Sequence, residues 1–270
     1  MTSVVHRGFT DSHCHLLPGI DDGPDRYEEA LDMAEVLASS GFDRIWCTPH
    51  RITGLYDTLP ETVTACAKEL QQRIRQAGIQ LSLLPATEYY LDDLLLSSLP
   101  TTFRLDNSML LVEVPPSASS DVVSQVLFQA IQKGATPLIA HPERSWLLAS
   151  TLDDTGSEPS LMESVRLLLP GKFGGRAVSR GREMPLFITR LAEMGCRFQG
   201  NIGSFAGIYG NTVREAALSY LKNGLYDRLG SDAHKPEGMR EWLSEGLAVV
   251  RSLVGTEELS RLLRTEASRN

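Results

Sequence analysis

Cysteine is scarce. The 270 residues hold four (Cys14, Cys47, Cys66 and Cys196), far apart and without a CxxC pair. This excludes a disulfide-stapled miniprotein and predicts reduced thiols in a cytoplasmic protein. Cations are outnumbered, 26 Lys and Arg against 34 Asp and Glu, a net charge of 26 − 34 = −8. A general nucleic-acid binder needs net positive surface, so none is expected. No apolar run approaches 18 residues, and MTSVVHRGFTDSH has no apolar stretch of signal-peptide length. Neither a membrane span nor a secretory leader is expected. Also missing are GxGxxG after the first strand, GxxxxGK[ST] and GxSxG. The HCx5R phosphatase signature fails, because Cys14 is followed by HLLPG with no arginine in the cradle position.

What is there is a regular alternation. Short apolar runs at 7–11, 43–49, 79–88, 109–115, 136–142, 196–201 and 226–234 read as strands. Helical patterns fill 26–41, 61–78, 119–134, 211–224 and the tail from 236, with Gly41, Gly78 and Gly134 as stops. About seven strand–helix alternations predict an α/β fold with a parallel sheet and helices outside. The pattern alone leaves an open sheet and a closed barrel undecided. No repeat or long linker divides the chain, so 1–270 reads as one domain. Residues 150–185 break the rhythm, and a loop of that length in a compact domain is usually functional or mobile. Its Lys172, Arg176, Arg180 and Arg182 form a basic run that could steer an acidic peptide.

Five of the six histidines follow predicted strands: His13 and His15 the first, His50 the second, His141 the fifth, His234 the seventh. Glu88, Glu113 and Asp232 occupy equivalent positions, and Asp22 lies in the first strand–helix loop. Parallel strands converge at their C-terminal ends, so nine potential ligands would meet on one face. Any one of them alone reads better as a structural or solvated residue. Together they read as a metal centre. In Asp11-Ser12-His13-Cys14-His15 the strand period of two puts both imidazoles on one face and Cys14 in the core. Asp11 is expected to orient one imidazole. His6, in the tail, reads as a surface residue. Imidazole and carboxylate without thiolate suit Mn²⁺, Fe or Zn²⁺. Three divalent ions, four carboxylates and a bridging hydroxide would leave a charge of about +1, attractive to a phosphate dianion.

DSHCHLLPGIDDGP, TPHRITGLY, ATEYY, LVEVP, AHPER, NIGS and GSDAH together resemble the polymerase and histidinol phosphatase (PHP) superfamily, above all its bacterial protein-tyrosine phosphatase branch of capsule and exopolysaccharide synthesis. The resemblance spans about residues 9–149 and 195–250. It implies a distorted (β/α)7 TIM-like barrel with three divalent ions, Mn²⁺ favoured. His13, His15, Glu88 and Asp232 would hold the first ion, Glu88, Glu113 and His141 the second, and Asp22, His50 and His234 the third. Arg144 would bind phosphate, with Arg240 as a second phosphate ligand. Asp232 or His234 would act as proton donor. A metal-bound hydroxide would attack phosphorus without a phosphoenzyme. The implied substrate is a phosphotyrosine in the tail of a cognate tyrosine kinase, with no nucleic acid and with an oligomer left open. Competing readings are a phosphatase of a small metabolite such as histidinol phosphate, a non-catalytic metal-binding module, and a phosphodiesterase or nuclease.

Overall fold

The computed structural model describes residues 8–92, 94–99, 104–105, 109–149 and 184–264. The expected insertion at 150–185, with its four basic residues, lies almost wholly outside them, as does His6. Nine strands are present among the described residues: β1 Phe9–Cys14, β2 Phe42–Cys47, β3 His50–Arg51, β4 Ser82–Pro85, β5 Glu88–Tyr90, β6 Met109–Glu113, β7 Thr136–Ala140, β8 Arg197–Asn201 and β9 Arg228–Gly230. The main helices are α1 Tyr27–Ser39, α2 Pro60–Gln76, α3 Leu95–Ser98, α4 Ser120–Gln132, α5 Trp146–Ala149, α6 Leu186–Met194, α7 Ile202–Ala206, α8 Asn211–Lys222 and α9 Met239–Leu262.

Every strand pairing is parallel, in two ladders ordered β1-β2-β4 and β3-β5-β6-β7-β8-β9. The second and third predicted strands each appear as two pieces, β2 with β3 and β4 with β5. Pro49 and Pro85 sit at the breaks, and neither has an N–H for the ladder. Ala86 N–H donates to Cys47 O at 2.9 Å and Glu88 N–H to Pro49 O at 3.1 Å, which carries one piece into the next. Seven strand positions therefore remain. The sheet curls until β9 lies beside β1: Asp232 N–H donates to His13 O at 2.7 Å and His15 N–H to Ala233 O at 3.0 Å. This is the distorted (β/α)7 architecture.

The strand interiors are apolar on both faces. Leu110, Leu111 and Val112 of β6 and Leu138, Ile139 and Ala140 of β7 are all buried, as strands flanked by helices require. α1 buries Ala30, Met33, Ala34, Val36 and Leu37, one apolar stripe. Ser119 caps α4, its Oγ accepting from Val122 N–H at 3.4 Å, and Gly134 ends it with φ 83°. Cys14 and Cys47 are buried in the core, as expected of Cys14. α7 goes beyond the sequence reading, since five residues carry no readable period. It starts because the Asn201 side chain accepts from Gly203 N–H at 2.9 Å. No helix among the described residues is long and apolar enough to cross a membrane.

Candidate metal centre

Parallel pairing puts every strand's C-terminal end on one face, and the nine expected ligands gather there. They form four overlapping groups whose donor atoms lie within 4.8 Å of one another. These are His13, His15 and Glu88; His13, His141 and Asp232; His50, Glu88 and Glu113; and His15, Asp22, His50 and His234. Glu88 is central. Its Oε2 lies 3.2 Å from His13 Nε2, 3.3 Å from His15 Nε2 and 3.1 Å from His50 Nδ1, and its Oε1 lies 3.4 Å from His141 Nε2. Asp22 Oδ1 lies 3.3 Å from His234 Nε2 and 3.7 Å from His50 Nε2. Glu113 is more peripheral, 4.0 Å from His141 Nε2.

Neighbours fix which nitrogen faces inward in three of the imidazoles. His13 Nδ1 lies 2.9 Å from Gln199 Oε1, His15 Nδ1 2.7 Å from Asp21 Oδ2, and His234 Nδ1 2.9 Å from the Asp232 carbonyl. Each partner atom only accepts, so each Nδ1 carries a proton and each neutral ring turns a bare Nε2 inward. His13 Nε2 and His15 Nε2 are then 3.1 Å apart, with Asp232 Oδ1 3.3 and 3.4 Å away. With both rings neutral, two nitrogen lone pairs and two carboxylate oxygens meet with no donor between them. Both Glu88 oxygens are buried without a hydrogen-bond partner, as is His50 Nδ1. Buried acceptors left in this state are costly. A divalent cation satisfies them all, so the residues fit a metal.

The electrostatics agree. Burial opposes a charge on His13, yet Glu88 and Asp232 carry its pKa up to about 9. Burial likewise opposes ionisation of Glu88 and Asp232, but the imidazoles of His13, His15 and His141 hold both well below the ordinary carboxylate range. Asp22 is held at about 2 against its partial burial, chiefly by His234. Without a metal the pocket holds protons where the cations would sit.

Several residues missed by sequence reasoning position the candidate ligands. Asp21, not Asp22, orients His15, and its Oδ2 also accepts from His50 N–H at 2.9 Å. The doubled Asp in PGIDDGP was the available signal. Gln199 orients His13 and accepts from His141 N–H at 3.3 Å. Asn201 donates to Asp232 Oδ2 at 2.9 Å and to the Tyr209 hydroxyl at 3.3 Å. Glu143 is a buried carboxylate held by Asn201 N–H, the Ser204 hydroxyl and the Tyr226 hydroxyl at 2.8–2.9 Å. It pins the turn that carries His141 and Arg144. Arg144 donates to Asp232 Oδ2, and its guanidinium carbon lies 4.4 Å from the Tyr209 ring centre.

Two expectations need correction. Arg240 is not at the cluster. Its Nη1 donates to Ser39 Oγ at the end of α1, at 2.9 Å, on an exposed surface. Met239 takes the inward position at the start of α9, and the next residue, 100° round the helix, faces away. Asp11 orients no imidazole. Its Oδ1 accepts from the backbone N–H of His13 at 3.1 Å and of Ser231 at 2.8 Å, tying β1 to β9.

Comparison with known proteins agrees with this geometry. The family described as capsular polysaccharide synthesis, CpsB/CapC, matches residues 9–156 and 182–269. Tyrosine-protein phosphatase YwqE of Bacillus subtilis (strain 168) is 28% identical over 250 residues, 92% of this chain and 85% of that one. Tyrosine-protein phosphatase CpsB of Streptococcus pneumoniae is 27% identical over 262 residues, 93% of each chain. A solved structure from the work on YwqE and CpsB, described as metal-dependent tyrosine phosphatases, superposes with a TM-score of 0.73 at 26% identity over 96% of each chain. Histidinol phosphate phosphatase of Lactococcus lactis shares the fold, with a TM-score of 0.52 at 11% identity over 92% of this chain and 95% of that one. The chain belongs to the CpsB/CapC family of capsular polysaccharide synthesis.

Proposed function

We propose that this chain is a metal-dependent protein-tyrosine phosphatase of capsule or exopolysaccharide synthesis. The observation that carries the reading is the pocket of converging acceptors with Arg144 at its edge, in a chain similar along nearly its whole length to named tyrosine phosphatases. His13, His15, Glu88 and Asp232 are assigned to one divalent ion, Glu88, Glu113 and His141 to a second, and Asp22, His50 and His234 to a third. Mn²⁺ is the favoured ion, with Fe and Zn²⁺ as the alternatives. Such ions activate water near neutral pH and neutralise phosphoryl oxygens.

The chain's own residues bind and orient. Arg144 commits one N–H to Asp232 and has others for a phosphoryl oxygen. Asp232 is assigned as a ligand and not as the proton donor, because Oδ1 faces the imidazoles and Oδ2 accepts from Arg144 and Asn201. His234 is assigned likewise, since its Nδ1 proton is held by the Asp232 carbonyl. The substrate in this reading is a phosphotyrosine in the tail of a cognate tyrosine kinase, and the phosphatase itself is cytoplasmic. The catalytic unit is a single domain interrupted near 150–185, which the family match supports by passing over 157–181.

The test is metal content and turnover on one preparation, with a phosphotyrosine peptide and histidinol phosphate side by side. The expected result is bound transition metal with kcat/KM favouring the peptide. Preference for histidinol phosphate, or no hydrolysis by metal-loaded protein, would overturn the proposal.

A further inference from the structure

With Asp232 and His234 both committed as ligands, the departing phenolate lacks a partner. Its conjugate acid has a pKa of about 10, so charge on that oxygen must be stabilised. The structure offers one group beside the arginine. Tyr209 lies in the turn after α7, with its ring over the Arg144 guanidinium at 4.4 Å. Asn201 Nδ2 has two hydrogens, and its partners are Asp232 Oδ2 at 2.9 Å and the Tyr209 oxygen at 3.3 Å. The tyrosine is thereby fixed two hydrogen bonds from a ligand of the cluster. Because Asn201 donates, the Tyr209 oxygen accepts and its own proton stays uncommitted. Among the described residues nothing takes that proton. The residue is 36% exposed, so it stands open to solvent beside Arg144.

We propose that the Tyr209 hydroxyl donates a hydrogen bond to the leaving phenolate oxygen of the substrate. This rests on the phosphatase reading. As a water molecule forms the new P–O bond and leaves its oxygen on the released phosphate, the ester P–O bond breaks and its electron pair passes to the phenolate oxygen. The Tyr209 O–H stabilises that charge and keeps its proton. The phenolate takes a proton from water on release. The ring acts separately from the hydroxyl, covering one face of the Arg144 guanidinium and limiting where that fork can point.

Two variants separate the hydroxyl from the ring. Full-length protein loaded with Mn²⁺ is compared as wild type, Tyr209→Phe and Tyr209→Leu in single turnover, so that product release does not mask chemistry. The substrates are a phosphotyrosine peptide and p-nitrophenyl phosphate, whose nitrophenolate leaves without assistance. Tyr209→Phe is expected to slow the peptide about ten- to a hundredfold and p-nitrophenyl phosphate by less than about threefold, the effect of removing one donor from developing charge. Across a series of aryl phosphates its rates should fall more steeply with leaving-group pKa. KM should not change, because the ring remains. Tyr209→Leu should add a rise in KM for both substrates. An equal loss on both substrates in Tyr209→Phe, or no loss, would overturn the assignment. If wild type hydrolyses neither substrate, the phosphatase reading itself fails, and that outcome is distinct from an unaffected Tyr209→Phe.

Discussion

Gly230 tests whether the metal centre depends on the meeting of the first and last strands. It ends β9, where the backbone runs against β1. A Cβ built there would lie 2.6 Å from His13 Cβ, 2.8 Å from His13 N and 3.1 Å from Gln199 Nε2, whereas ordinary contact begins at 3.4 Å. Gly230→Ala must therefore open the strands by roughly 1 Å. If β9 moves, it strains the Asp232 N–H to His13 O bond of 2.7 Å and the Ser231 N–H to Asp11 bond of 2.8 Å. If His13 moves, its Nε2 leaves Glu88 and Asp232. Overpacking of this kind costs about 1–3 kcal/mol. A shift of about 1 Å in a reacting geometry can cost about a hundredfold in rate. The expected outcome is a folded protein with a Tm several degrees lower, weaker metal binding and kcat/KM down about a hundredfold on a phosphotyrosine peptide. Thermal melts with and without EDTA, metal analysis and steady-state kinetics check it. Wild-type Tm together with wild-type activity would refute the reasoning, because the added methyl would then have found room that the close contacts deny.

His13→Ala, Glu88→Gln and Asp232→Asn should each lose most bound metal and activity while keeping wild-type far-UV circular dichroism. EDTA should inactivate the wild type and Mn²⁺ restore it. Asp21→Asn should weaken metal affinity about ten- to a hundredfold, since it orients His15 without being a ligand, and a titration with a competing chelator reads this directly. Cys14→Ala should retain substantial activity and alkylation should do little, because Cys14 and Cys47 are buried; a trapped phosphocysteine would reverse the mechanism. Stripped of metal, the protein should lose stability with rising pH. The folded-state pKa of His13, about 9, lies above the ordinary 6.5, so its contribution is full below 6.5 and lost as pH rises through about 9. Melts of EDTA-treated protein across that window should show a falling Tm.

The alternation of apolar runs and helical stripes was enough to bring the candidate ligands to one place, because a parallel sheet sends every strand end to one face. His13, His15, His50, His141 and His234 could thus be grouped although the first and last lie 221 residues apart (234 − 13). What stayed hidden was set by tertiary contacts without a local pattern. Gln199 and Asn201 are amides in the strand CRFQGN, where no spacing marks them as partners of the histidines and carboxylates. Their roles appear once β8 is seen between β7 and β9. Asp21 and Asp22 cannot be told apart by spacing; burial decides, with the Asp21 side chain buried on His15 and that of Asp22 46% exposed. Arg240 entered through the resemblance alone, whereas the helix that begins at Met239 turns it outward, onto Ser39. Asp11 satisfied the period-two pattern but was drawn to backbone amides of its own and the neighbouring strand.

The strained residues show what this arrangement asks of the fold. Among the described residues, only His141 and Asp232 combine a positive φ with a side chain, at 28° and 50°, and both belong to the candidate ligand cluster. Such conformations cost of order 1–3 kcal/mol each and persist where the surroundings over-determine them. At His141 the N–H is held by Gln199, the carbonyl accepts from Arg144 N–H at 2.9 Å, and the next turn is anchored by the three donors on Glu143. At Asp232 the N–H is held by His13 O, and the side chain by Arg144 and Asn201. Among the described residues Glu143 forms no salt bridge, yet its side chain is buried on three donors. Its burial is explained by the turn it fixes: His141 on one side and Arg144 on the other reach the same pocket only while that turn stays tight. The acceptor-rich pocket, the two left-handed candidate ligands and the buried Glu143 behind them are therefore one construction, in which backbone strain at the strand ends is offset by the hydrogen bonds around it.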